Sequence, residues 1–105
     1  MSVYVDDSGI PATVGRHTSR WSHLMADDRE ELHAFAERLG LRRSYFQEPR
    51  GLLGRPVVPS SLAAQMWHYD VTEGKRQQAI RLGAESVTWR ESIDIIRARH
   101  ARLFP

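Results

Sequence analysis

The stretch Asp27-Asp28-Arg29-Glu30-Glu31-Leu32-His33-Ala34-Phe35-Ala36-Glu37-Arg38-Leu39-Gly40 carries the strongest structural signal in the chain. Asp27 and Asp28 each stand three residues before a glutamate. At that spacing a capping carboxylate and an acidic partner satisfy the free N–H groups of a new helix. Leu32, Phe35, Ala36 and Leu39 then fall at i, i+3, i+4 and i+7, which puts them on one apolar face. Gly40 ends the helix at the position that tolerates a left-handed backbone. A helix with a single apolar face needs a second layer to cover it.

The flanking residues supply that layer. Val3-Tyr4-Val5 is β-branched and aromatic and is stopped by Asp6-Asp7-Ser8-Gly9, which reads as a short strand. Leu41 to Gln47, with Tyr45-Phe46, reads as a second strand, and Glu85 to Trp89 as a third. Thr72 is placed to cap a second helix whose apolar residues are Ala79, Ile80 and Leu82 and which Gly83 closes. A last helix is expected from about Glu91 to Leu103, with Ile93, Ile96, His100 and Leu103 along one face. Residues Ile10 to Met25 show no sustained period and read as a loop. The segment 48–65 holds Pro49, Gly51, Gly54, Pro56 and Pro59 and reads as a second long loop, in which Ser60 or Ser61 caps a short turn. Strands alternating with single helices predict an α/β fold with about three mostly parallel strands, right-handed crossovers and helices packed on the sheet.

The chain has 105 residues, of which 41% are apolar, enough for one core and so for a single domain over 1–105. With no cysteine, thiol catalysis, disulfides and thiolate zinc sites are excluded. No apolar run approaches the ~20 residues that span a bilayer, and Met1 to Asp7 lacks a basic-then-apolar leader. A cytoplasmic protein with no membrane partner is expected. The formal charge is +2, with Lys75 the sole lysine, and the arginines are scattered among acids. Their densest groups are Arg42-Arg43 and Arg97, Arg99 and Arg102. Scattered charge is a weak nucleic-acid footprint, because true ones gather on one face.

Two stretches are alike. Trp21-Ser-His23 precedes Asp27, Trp67-His68 precedes Thr72, and each helix that follows ends Arg-Leu-Gly. Both histidines are therefore expected just before helix N-termini, at the edge where open α/β sheets bind ligands, with Asp6 and Asp7 reaching the same edge. In an extended segment His68 and Asp70 share a face while Tyr69 points away. Imidazole and carboxylate together suit a divalent metal such as Zn, Mn or Mg with an activated water. The candidate ligands are Asp6, Asp7, His23, His68 and Asp70; Asp6, His23, His68 and Asp70 are also the candidate catalytic residues. Thr72, Lys75 and Arg76 open the second helix, where a cation works against the helix dipole, so an anionic or phosphorylated ligand is expected beside them.

Each residue also has a plainer reading. Asp27 reads as a helix cap, His33 as a half-buried packing residue, and His17 and His100 as surface residues. Structural hydrogen bonds for His23 and His68 compete with ligation, and Trp21, Trp67 and Trp89 read as core anchors. Ser22 and Ser60-Ser61 lack a nucleophile elbow, and Gly51-Leu-Leu-Gly54 lacks the Lys-Ser/Thr of a P-loop.

The blocks Tyr4-Val-Asp-Asp7, Trp21-Ser-His-Leu24 with Ala26-Asp27, Glu31-Leu-His-Ala-Phe-Ala36, and His68-Tyr-Asp-Val-Thr72 with Lys75-Arg76 occur in this order. From Val3 to about Glu91 the chain resembles a bacterial and phage-encoded family known only as domain of unknown function 4031. The resemblance implies no activity, cofactor or catalytic residue. The residues themselves point to a metal- or phosphate-binding domain, with hydrolysis of a phosphorylated or nucleic-acid substrate as the expected reaction. The rival is a non-catalytic interaction module, docking a partner or a second copy through Leu52, Leu53, Val57 and Val58. A third reading is a DNA-binding accessory protein using the arginine groups.

Overall fold

The computed structural model describes residues 2–105, apart from the side chain of Leu52. Among them run β1 (Val3–Val5), β2 (Ile10–Val14), β3 (His17–Ala26), α1 (Arg29–Arg38), β4 (Phe46–Gln47), β5 (His68–Thr72), α2 (Glu73–Arg81), β6 (Glu85–Ser86) and α3 (Trp89–Leu103). The fold is α/β, but the sheet is not the three mostly parallel strands expected. Six strands form it in the order β4-β5-β3-β1-β6, with β2 beside β3. Only β1 and β6 pair in parallel; every other pair is antiparallel.

The correction has a local cause. Residues Ile10 to Met25 form a hairpin arm rather than a loop. Their lack of apolar period follows from exposure: all five residues of β2 are exposed, so neither face has to alternate. Val14 pairs with His17 across a two-residue turn whose first residue, Gly15, has φ 60°. Glycine at that position matches the right-handed twist of the flanking strands. Strand β3 is thereby the spine of the sheet, with β1 and β2 in succession along one edge and β5 along the other.

Alternation along β3 and β5 sorts the side chains. Leu24 and Ala26 from β3, and Tyr69 and Val71 from β5, enter the core with Val5, Trp67 and Ala84. Helix α1 covers them with Leu32, Phe35, Ala36 and Leu39, the stripe read from the sequence, and α2 adds Ala79. Each fully buried leucine contributes on the order of 2 kcal/mol. The opposite face of the same strands presents Trp21, His23 and Met25 from β3 and His68, Asp70 and Thr72 from β5.

Several boundaries move for identifiable reasons. Asp28, not Asp27, caps α1 by accepting from Glu31 N at 2.9 Å. The Asp27 carboxylate instead accepts from Ser2 N and Tyr4 Oη, tying β1 to the helix entry. Only Phe46–Gln47 of the second expected strand pairs, because Arg43–Tyr45 tightens into a 3₁₀ turn. The third shrinks to Glu85–Ser86 because Thr88 and Glu91 form a reciprocal capping box that starts α3 at Trp89. Thr72 caps α2 as expected, and Ser61 Oγ accepts from Ala64 N at 3.3 Å in the 3₁₀ turn Ala63–Gln65.

Helix α3 is not held by its expected apolar stripe; Ile93 and Leu103 are exposed. Arg99, 2% exposed, holds it. Its guanidinium donates to the carbonyls of Ala26, Gln65 and Trp67 at 2.6 to 3.0 Å and stacks 3.3 Å above the Trp67 ring. Among the described residues no helix is long and apolar enough to cross a membrane.

Candidate metal centre

Strands β3 and β5 pair with His23 directly opposite Asp70. His68, two residues before Asp70, shares its face and stands diagonal to His23. One donor atom from each of His23, His68 and Asp70 lies within 4.8 Å of the other two. The imidazoles meet edge to face, with centroids 4.8 Å apart. His23 Nε2 is 4.0 Å, and His68 Nε2 3.1 Å, from Asp70 Oδ1. All three side chains are part-exposed, Asp70 most at 42%, so the cluster is open to solvent.

The other ring nitrogens decide what this cluster is. His68 Nδ1 lies 2.8 Å from the Met66 carbonyl, which only accepts, so that nitrogen carries the proton. His23 Nδ1 lies 2.8 Å from Asp6 Oδ2 and 3.0 Å from Ser8 Oγ. The Asp6 carboxylate likewise fixes the proton on Nδ1. In their neutral forms both rings therefore aim a bare Nε2 lone pair toward an Asp70 carboxylate. Three acceptors facing one another repel unless a proton or a metal cation lies among them.

Asp6 is held tightly in this supporting role. Between β1 and β2 the chain spends Asp6 to Gly9 opposite only Ser22 and His23, so the ladder breaks there. The Asp6 side chain fills the break: Oδ1 accepts from His23 N at 2.8 Å and from Ser8 Oγ at 2.6 Å. Its own carbonyl, freed from the ladder, accepts from Arg76 Nε at 2.8 Å. Burial by itself would push the Asp6 carboxyl up, but the hydrogen bonds from His23 and Ser8 outweigh it and hold the group at about 2. The same bond raises the His23 imidazole above its ordinary range, against the effect of burial. With a proton on His68 Nε2 the 3.1 Å contact becomes a hydrogen bond donated to Asp70, and that bond is the chief cause lowering the Asp70 carboxyl.

The remaining expected site residues lie apart from the cluster or are engaged elsewhere. Asp7 Oδ1 accepts from Trp89 N at 2.8 Å, at the start of α3. Lys75 Nζ donates to the Leu39 carbonyl at 2.7 Å, closing the end of α1. Arg76, besides holding Asp6, donates to Ser86 Oγ at 3.1 Å. Thr72 Oγ1 accepts from Lys75 N as the α2 cap. Of the basic group near the C-terminus, Arg99 is buried and Arg102 donates to the Asp27 carbonyl at 2.7 Å. The two histidines are not at helix N-termini: His23 lies within β3, and His68 opens β5. His33 accepts or donates at 2.8 Å with the buried Tyr69 hydroxyl, on the far side of the sheet.

Ser8 and the Met66 carbonyl were invisible to sequence reasoning. A serine two residues after a buried aspartate is the faint signal for the first; a backbone carbonyl leaves none. Two clefts meet at the cluster. One, of about 490 Å³, is bounded by His23 and His68 on the sheet and by Trp89, Ile93 and Ile96 on α3. The other, of about 840 Å³, is bounded by His23, Asp70, Trp21 and Tyr45.

The model of a family described as "Protein of unknown function (DUF4031)" matches residues 3–99, nearly the whole chain, and the chain belongs to that family. No curated protein and no solved structure matches it.

Proposed function

We propose that this domain binds one divalent transition metal through His23, His68 and Asp70 and uses it for hydrolysis. The observation that carries this reading is the opposition of two Nε2 lone pairs and a carboxylate, with each ring's Nδ1 already committed. Metal-binding histidines characteristically donate their other N–H to a carboxylate or a backbone carbonyl, the roles Asp6 and Met66 fill here. Two nitrogens and one oxygen suit zinc, manganese or iron better than magnesium, which takes oxygen ligands. Three protein ligands beside two clefts leave coordination positions for water and substrate, the arrangement of catalytic rather than structural sites. A metal held there would act as a Lewis acid and lower the pKa of a bound water. Asp6 would hold the His23 ring in its ligating orientation, and Asp70 would supply the anionic ligand.

The expected phosphorylated or nucleic-acid substrate draws less support. Lys75 and Arg76, which were to neutralise it, spend their donors on the fold. The test of the metal reading is zinc titration by calorimetry with parallel melting curves. Saturating zinc at about a hundred times Kd should stabilise the parent by about 2.7 kcal/mol. His68→Ala and Asp70→Ala should fold and show no such gain. Absence of saturable uptake, or equal uptake by His68→Ala, overturns the reading. The rival interaction module draws on the exposure of Leu53 and Val58. A Leu53→Ser, Val58→Ser double variant that keeps zinc uptake but alters particle size in light scattering would favour it.

A further inference from the structure

We propose that the ligand of this metal centre has a neutral, apolar, aromatic-sized body that lies in the cleft between the sheet and α3. The inference rests on the metal reading above and names the substrate chemistry of that site.

Apart from the site residues Asp6, Ser8, His23 and His68 and from Ser92, the cleft is lined by Ile10, Met25, Met66, Trp89, Ile93 and Ile96. Among the described residues that bound it none is lysine or arginine. Its lining already carries the Asp6 carboxylate, while Asp70 lines the neighbouring cleft. The Arg90 guanidinium stands 5.6 Å from the Trp89 ring centroid but does not line the cleft. An anionic body entering here would therefore lose its water, meet no lining cation except the metal, and face the Asp6 carboxylate. A neutral one would gain from every apolar atom covered. The volume of about 490 Å³ falls within the range of small-molecule sites. Trp89 is 52% exposed and Ile93 40%, so both offer uncovered apolar surface at this cleft. Trp89 opens α3 through the Thr88–Glu91 capping box and the Asp7 contact, all of which use its backbone or its neighbours, so its indole is free of that framework. The fold thus places one polar anchor and an apolar wall within the same cavity.

Two probes with the same metal-binding head separate the body from the anchor. Zinc-loaded protein should bind benzohydroxamic acid at least about tenfold more tightly than acetohydroxamic acid. Trp89→Ala and Ile93→Asp should each erase most of that difference, leaving zinc affinity and acetohydroxamic acid binding within about twofold of the parent. 4-Carboxybenzohydroxamic acid, which keeps the head and makes the body anionic, should bind more weakly than benzohydroxamic acid. Equal affinity for benzohydroxamic and acetohydroxamic acids, an undiminished preference in both variants, or tighter binding of the 4-carboxy compound overturns the proposal while the metal reading stands. If the parent takes up no zinc, both fall together.

Discussion

Helix α3 overlooks two polar clusters built on opposite logic. At Arg99 every guanidinium nitrogen meets an acceptor: carbonyls of Ala26, Gln65 and Trp67 surround the group, and the Trp67 ring covers its face. Burial pulls the pKa of this arginine down to about 9, still well above neutral, so it stays charged without a carboxylate partner at contact distance. At His23, His68 and Asp70, acceptors face acceptors in partial contact with solvent. The first cluster is complete and closed, and its role is architectural. The second is complete only when something positive is added. Satisfaction of hydrogen-bonding groups, more than the presence of charge, separates scaffold from site.

The sharpest way to break that contrast is to remove each cluster's centre. Arg99→Ala should cost about 3–5 kcal/mol in urea denaturation, since it strands three buried carbonyls and frees α3 from the sheet. His68→Ala should cost under about 1 kcal/mol without metal, because it relieves a repulsion, while reducing zinc affinity by at least about a hundredfold. If the two variants lose similar stability, the distinction fails.

Asp6→Asn sharpens the comparison at the next level. It keeps the shape but weakens the grip on His23, and zinc affinity measured by chelator competition should fall about 10–100-fold. The metal-free parent should also show a pH signature. The raised pKa of His23 stabilises the fold fully below the ordinary imidazole range near 6.5, and that gain is lost as pH rises through its folded value. The lowered pKa of Asp6 stabilises above about 4, and that gain is lost as pH falls through about 2. Stability should therefore be greatest between these limits, near pH 5, and decline toward pH 8. Asp6→Asn should flatten the alkaline decline in denaturation series, and an unchanged slope would show that the pair does not carry it. The smallest effect belongs to Arg97, whose exposed side chain bonds to no side chain or backbone group among the described residues: Arg97→Ala should shift stability by no more than about 0.5 kcal/mol.

Helix α1 was legible because its burial is written in its period: Leu32, Phe35, Ala36 and Leu39 are both the apolar stripe and the core. The β2–β3 hairpin was not, because a strand exposed on both faces has no alternation to read. Parallel or antiparallel pairing was illegible for a different reason: it depends on which distant strands meet, and no local pattern encodes that. The shared face of His68 and Asp70 follows from strand alternation and could be read directly. The partnership with His23 needed the cross-strand register, and it is built on the face of the sheet rather than beyond the strand ends. Arg99 hid among the basic residues because nothing in a sequence distinguishes a buried arginine from a solvated one.

The register of β3 against β5 has a consequence for assembly. Slipping one strand past the other by a single position would turn the His23 ring into the oily layer beneath α1 and push Leu24 into water. The imidazoles come from distant parts of the chain, so the misaligned sheet offers no three-toothed clasp. An ion that fits the clasp would reward only the correct alignment, acting during folding as a proofreader of strand register.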